Sequence, residues 1–332
     1  MTWSRETWVN ALILAALLGV PFYAHLADEP FTITLATRAV VLALAAAGLN
    51  IALGFGGLVS LGHAMFFGIG GYAMGILAFH AQNYMPLALW PVEISGTTFM
   101  PLIWLVAVVV SSLVALLTGV LALRTTGVYF IMITLAFGQM FFYLAISQSA
   151  YGGEDGIPIY LRNSFPGVNT LVPLQFYGLC LGVLCFVLWL SARLVASPFG
   201  LALNAARQAP TRVETVGLRP RRLFLAAFVL SGAVTGLAGA LFADLNRFVS
   251  PTMFSWQLSG ELIVLVILGG VGRLWGPVIG AVAFVCLEHW LGGLTEFWLV
   301  ALGAVLLGVV LFAKGGLMGL LAGPKRLNKG AP

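Results

Sequence analysis

Ten runs of predominantly apolar residues, most of them about 20 residues long, dominate this sequence of 332 residues. They cover Trp8–Leu26, Phe31–Leu53, Leu58–Ala81, Phe99–Leu123 and Gly127–Ile146, then Pro173–Leu194, Leu223–Ala243, Trp256–Val271, Gly276–Leu291 and Glu296–Ala313. A helix rises about 1.5 Å per residue, so runs of this length match the hydrocarbon thickness of a bilayer. Only 8% of the residues are charged against 61% apolar, and the mean hydropathy is +1.03. No soluble core hides that much apolar surface. Soluble enzymes, nucleic-acid binders and disordered scaffolds are thereby excluded. The expectation is an all-α, polytopic membrane bundle of about ten transmembrane segments, forming one domain over 1–332. Some segments are expected to be broken or re-entrant where glycines cluster.

Basic residues set the orientation. With an inner N-terminus, thirteen of the sixteen lysines and arginines fall on the cytoplasmic side, from Arg5 and Arg124 to a tail, 314–332, that carries Lys314, Lys325, Arg326 and Lys329. Arg162 and Arg247 fall outside, and Arg38 lies within the second run. Cytoplasmic loops collect positive charge, so both termini are expected in the cytoplasm. The cysteines Cys180, Cys185 and Cys286 sit in apolar runs without CxxC spacing, which gives neither a disulfide framework nor a zinc site. A cleavage after Ala27 would put His25 where a signal peptidase needs a small residue, so the first run is read as a retained span.

The longest basic connection, 195–222, reads VASPFGLALNAARQAPTRVETVGLRPRR. It holds Arg207, Arg212, Arg219, Arg221 and Arg222 against a single Glu214. Ser197-Pro198 predicts a helix start, with serine as N-cap and proline at the first helical position. Pro210 predicts a second short helix, ending near Gly217 with Pro220 just beyond. On charge alone, such a loop is either an ordinary positive-inside connection on anionic lipid or a docking element for a cytoplasmic protein.

SPFGLALNAARQAPTRVETVGL closely resembles the cytoplasmic loop of the permease subunits of branched-chain amino acid ABC transporters. Pro198, Phe199, Gly200, Ala202, Leu203, Ala205, Arg207, Glu214 and Gly217 match that pattern. Pro210 and Thr215 depart from it, standing where relatives carry an acidic residue and alanine. Three blocks resemble the family's other signatures: Leu49–Ala73, Leu123–Met140 and Gly152–Pro158. A fourth, Phe248–Ala281, matches its C-terminal block, and all stand in the family's order. The resemblance implies a coupling helix that inserts into an ATPase, with Phe199, Gly200, Ala205, Arg207, Arg212, Glu214 and Gly217 as the coupling residues. It also implies a second homologous permease, two ATP-binding subunits and a periplasmic substrate-binding protein in a bacterial inner membrane. ATP and magnesium would belong to the ATPases, and no cofactor to this chain.

Other constellations concern the route through the bilayer. Gly54, Gly56, Gly57, Ser60, Gly62 and His63 interrupt helical periodicity between the second and third runs. They read either as a broken helix beside a substrate route or as a cytoplasmic turn with close helix packing. His63 reads as a hydrogen-bonded packing residue more readily than as a ligand. Gly232, Gly236 and Gly239, with the pairs Gly71/Gly75 and Gly276/Gly280, read as helix-contact faces. Tyr129, Thr134 and Gln139 offer sparse polar groups on an apolar wall, suited to a pathway or to packing. Glu261 is costly within a span and faces either the bundle interior or a partner such as Arg38. Asp244, Glu288 and His289 fall near span ends, within reach of the interface. Tyr151–Pro158 and Phe248–Met253 are expected to face outward, as surface or, by the resemblance, as a docking face for a substrate-delivering protein. Glu154 and Asp155 supply too few oxygens for calcium.

HExxH, GxSxG and GxxxxGK[ST] are all missing from the sequence, so neither hydrolysis nor ATP cleavage by this chain is expected. An ion-coupled secondary transporter of a small amphipathic solute is the competing class, because ten spans with broken helices also suit carriers. Few intramembrane acids and a large basic loop favour the ABC reading over a carrier or a channel. Branched-chain amino acids are the family's default cargo; urea, amides and aromatic acids stay open.

Overall fold

The computed structural model describes residues 5–26, 28–84, 86–89, 92–293, 298–312 and 315–323. The ten apolar runs each become a helix: α1 (Arg5–Leu26), α2 (Pro30–Asn50), α3 (His63–Gln82), α4 (Met100–Ala122), α5 (Val128–Ser147), α6 (Pro173–Ala196), α9 (Pro220–Asn246), α10 (Trp256–Gly269), α11 (Gly276–Gly292) and α12 (Trp298–Phe312). Seven are long and apolar enough to cross a membrane; α10, α11 and α12 are shorter. Short α7 (Pro198–Gln208) and α8 (Pro210–Thr215) fill the basic connection, and α13 (Gly316–Ala322) lies in the expected tail. Lys314, Lys325, Arg326 and Lys329 of that tail, like Ala27 and Glu296, lie outside the described residues. Proline stands in the first two positions of α2, α4, α6, α7, α8, α9 and α11. There its missing N–H is no loss and its fixed φ suits the first turn.

Two helices form the axis. α2, continued by a π-helical turn over Ile51–Phe55, is 94% buried across its most apolar window, whereas α5 is only 22% buried. α9 packs against α2, α3 and α4. Its glycines face this chain: a Cβ at Gly232 would meet Ala115, at Gly236 Ser111, and at Gly239 the carbonyl of Phe67. Gly70 on α3 meets the carbonyl of Gly236 in the same way. Small residues let helix backbones approach closely where lipid provides no hydrophobic drive. Gly276 and Gly280 likewise close α11 onto α10.

Pro21 sits inside α1 and has no N–H for the Leu17 carbonyl. The Tyr177 hydroxyl of α6 donates to that carbonyl instead, tying an otherwise exposed α1 to the bundle. Two small antiparallel pairs lie in the loops at the end opposite the basic connection 195–222. One pairs β1 (Pro86–Leu89) with β2 (Val92–Ser95), the other β3 (Ile157–Pro158) with β4 (Phe248–Val249).

The segment Phe248–Met253, expected outside, is partly buried: Phe248 and Thr252 are exposed while the residues between and after them pack into the bundle. Pro251, Met253 and Phe254 are buried, and Met253 and Phe254 fill the notches left by Gly71 and Gly68 on α3. Asp244, expected near the interface, is also buried, and it accepts hydrogen bonds from the backbone N–H and the side-chain amide of Asn163.

Candidate functional site

The π-turn is followed by the non-helical stretch Gly56–Gly62, so α3 begins inside the bundle rather than at its edge. Gly57 turns the chain at φ +72°, a conformation that costs glycine nothing. At the start of α3 four fully buried polar residues meet: Ser60, His63, Ser231 of α9 and Ser259 of α10. Ser60 Oγ accepts from Gly62 N at 3.3 Å, and Ser259 Oγ from Ala64 N at 2.9 Å. These hydroxyls satisfy N–H groups that a helix start leaves free. His63 Nε2 lies 2.7 Å from Ser231 Oγ, which donates to the Gly48 carbonyl at 2.7 Å. The His63 ring meets Phe66 and Phe228 edge-on.

Only some of the expected pathway residues gather here. Ser60 and His63 belong to this knot, while Gly56 closes the π-turn against the carbonyls of Ile51 and Ala52. Thr134 of α5 joins the knot, since its backbone closes against Gly62. Gly57 turns the other way, against Arg207. Tyr129 is exposed near the start of α5 and Gln139 is half-buried further along it. Glu261 stands two residues from Ser259, about 200° around the helix. The ion pair of Arg38 is with Glu288, at 3.0 Å between α2 and α11. The sequence offered Glu261 as a pathway residue or as a partner for an arginine such as Arg38, and placed Glu288 near a span end. The crossing of α2 and α11 makes the difference. A cavity of about 860 Å³ lies between α4 and α6 beside Trp104, Leu105, Gly178 and Gly182. None of the expected pathway residues lines it.

The basic connection is a built element. Ser197 caps α7, its Oγ accepting from Gly200 N at 3.4 Å and donating to the Leu194 carbonyl at 2.6 Å. α8 ends at Gly217 (φ +89°), with Gly217 N bonded to the Glu214 carbonyl and Leu218 N to the Val213 carbonyl. That double closure is the Schellman pattern, and its left-handed residue is the one glycine tolerates best. The expected coupling residues divide into two sets. Phe199 and Gly200 turn inward, Phe199 against a cluster with Ile51, Phe55, Leu203 and Ala227. Ala205, Arg212, Glu214 and Gly217 are exposed. Arg207 reaches back and donates to the carbonyl of Gly54 in the π-turn.

Asn50, which sequence reading passes over, links this region to the α10–α11 connection. Its amide donates to the Arg273 carbonyl at 2.9 Å and accepts from Gly272 N at 3.0 Å. The buried Arg273 side chain then holds α13 through the carbonyls of Met318 and Gly323. A lone asparagine in the apolar run LNIALG was the available signal, since a polar side chain at such depth needs a partner.

A helical bundle with this many apolar spans is that of a multi-pass membrane protein. Residues 31–313 match the family described as branched-chain amino acid transport system / permease component, and the chain belongs to that family. It is 28% identical to the high-affinity branched-chain amino acid transport system permease protein LivM of Escherichia coli strain K12, over 85% of this chain and 68% of that one. The LivM of Salmonella typhimurium gives the same identity and coverage. The autoinducer 2 import system permease protein LsrC of Escherichia coli O9:H4 is 28% identical over 44% of this chain and 42% of its own. No solved structure matches significantly.

Proposed function

We propose that this chain is the translocation subunit of an ATP-binding-cassette importer that carries branched-chain or related amino acids across a bacterial inner membrane. Its termini are cytoplasmic, and it works beside a second homologous permease, two ATP-binding subunits and a periplasmic substrate-binding protein. ATP and magnesium act in the ATPases. One observation carries the reading: the α7–α8 element presents Ala205, Arg212, Glu214 and Gly217 outward while its other face is bolted to the bundle. A surface of that kind suits a partner that pushes on it. A ligand-free lever has no effect unless the partner binds the two conformations with different affinity, and ATP-dependent closure of the ATPases supplies that difference.

The test is uptake into proteoliposomes that contain the chain with its cognate second permease, ATPases and binding protein. Uptake of labelled leucine should require ATP and stop when Gly217 is replaced by a bulky residue, with the protein still inserted. Undiminished uptake by the isolated chain on a proton or sodium gradient overturns the proposal in favour of an ion-coupled carrier.

A further inference from the structure

We infer that Arg207 is the pin that transmits movement of the α7–α8 element to the broken helix at the centre of the bundle; this rests on the coupling role proposed above. The last carbonyls of a helix have no intrahelical donor. In the π-turn Gly56 N, Gly57 N and Leu58 N bond to the carbonyls of Ile51, Leu53 and Ala52. The Gly54 carbonyl takes its hydrogen bond from the Arg207 guanidinium. The stem of the same side chain lies flat on the next bend of the backbone. A Cβ at Gly57 would fall 2.9 Å from Arg207 Cγ, 3.2 Å from Cδ and 3.3 Å from Nε. One arginine of α7 therefore holds the segment 54–57 by a charge-assisted bond on one side and by packing on the other.

What lies beyond the grip makes it directional. Gly54 is packed against Asn50 and Gly272, and Asn50 fixes Gly272 and Arg273. On the other side, Gly56–Gly62 leads to His63 and the polar knot. A displacement of Arg207 thus reaches both the α3 start and the α10–α11 connection. Phe199 and Leu203 add apolar contacts between α7 and the bundle, and apolar surfaces slide where a hydrogen bond holds one position. Arg207 is a positioning residue, not a group that touches substrate.

The test uses the complete complex in inside-out vesicles, with Cys185 and Cys286 replaced by alanine and Val59→Cys as reporter; Val59 is 40% exposed within the interrupted segment. Labelling by N-ethylmaleimide is followed with and without ATP plus vanadate. With Arg207 intact, the nucleotide should change the labelling rate about fivefold or more, the scale of an ordinary allosteric coupling. In Arg207→Ala the ATPases should still co-purify while that change disappears, and Arg207→Lys should restore part of it. An Arg207→Ala complex that binds the ATPases and keeps the full response overturns the inference, since a merely structural role would alter stability alone. If Arg207→Ala does not assemble, Arg207→Met keeps the stem packed on Gly57 while removing the hydrogen bond to Gly54. The same loss then supports the pin, and a native response overturns it. ATPases that bind neither form overturn the functional reading, and the pin with it.

Discussion

Replacing Ser231 by alanine tests how the centre of the bundle is held. The hydroxyl has one proton, and the Gly48 carbonyl 2.7 Å away only accepts. With that proton on Gly48, His63 donates through Nε2 across its own 2.7 Å contact. Ser231→Ala removes both bonds and leaves the Nε2–H without its partner where neither residue has any exposure. Interhelical hydrogen bonds in membranes average about 0.6 kcal/mol and reach about 1.7. An orphaned buried donor costs about 1–3 kcal/mol. Together these place the loss at about 2–3 kcal/mol, or about 30- to 150-fold in the unfolding equilibrium. Reversible unfolding of the purified protein by a denaturing detergent measures it. A change below about 0.5 kcal/mol, well under these values, refutes the hydrogen-bond account. Nitrogen-15 spectra of histidine-labelled protein refute it independently if Nε2 of His63 carries no proton.

Two further substitutions probe the frame around that centre. Tyr177→Phe should loosen α1, seen as faster proteolysis of its linker to α2, and the effect should shrink when Pro21→Ala returns the N–H that Leu17 lacks. Glu288→Met should destabilise the protein more than the double change Arg38→Met with Glu288→Met, because the single change strands a charge among α2 and α11. The side chains keep 35% and 20% exposure, so the loss should fall below the roughly 3–5 kcal/mol of a fully buried pair; the same unfolding assay decides.

The spans were legible because lipid imposes a length and a composition that few other environments require. The two short helices of the basic connection were legible for a different reason. Ser197-Pro198, Pro210 and Gly217-Pro220 act through local backbone chemistry, which needs no knowledge of the neighbours. What stayed hidden depends on pairing between distant segments. Phe248–Met253 carries turn residues that read as an outer loop. Its burial depends on the glycine notches at 68 and 71, far away in the sequence. The ion pair of Arg38 with Glu288 was hidden for the same reason, since nothing near Glu288 announces a crossing with α2. Arg207 was visible as a charge in a basic loop, but its direction was not. A π-turn that presents a free carbonyl is a property of the fold around Gly54, not of the residues beside Arg207.

The arrangement of stiff and soft parts gives the proposed mechanism its geometry. An α-helix resists bending because each turn is closed by i→i−4 hydrogen bonds, whereas Gly56–Gly62 lacks that ladder and Arg247–Ser255 breaks it up into a strand pair and a single 3₁₀ turn. These two stretches flank the elements that meet at the polar knot, one leading into α3 and the other into α10. They enter from opposite ends of the bundle. A push on α7 reaches the first through Arg207 and Gly54. It reaches the second through α9, which packs on α7 at Ala227 and runs on into Arg247, and through the Ala64–Ser259 bond. On the proposed mechanism, one push at the end facing the ATPases therefore reaches both ends of the bundle. Alternating access requires those two ends to move in opposite senses, because a route open at both ends would dissipate the gradient it is meant to build.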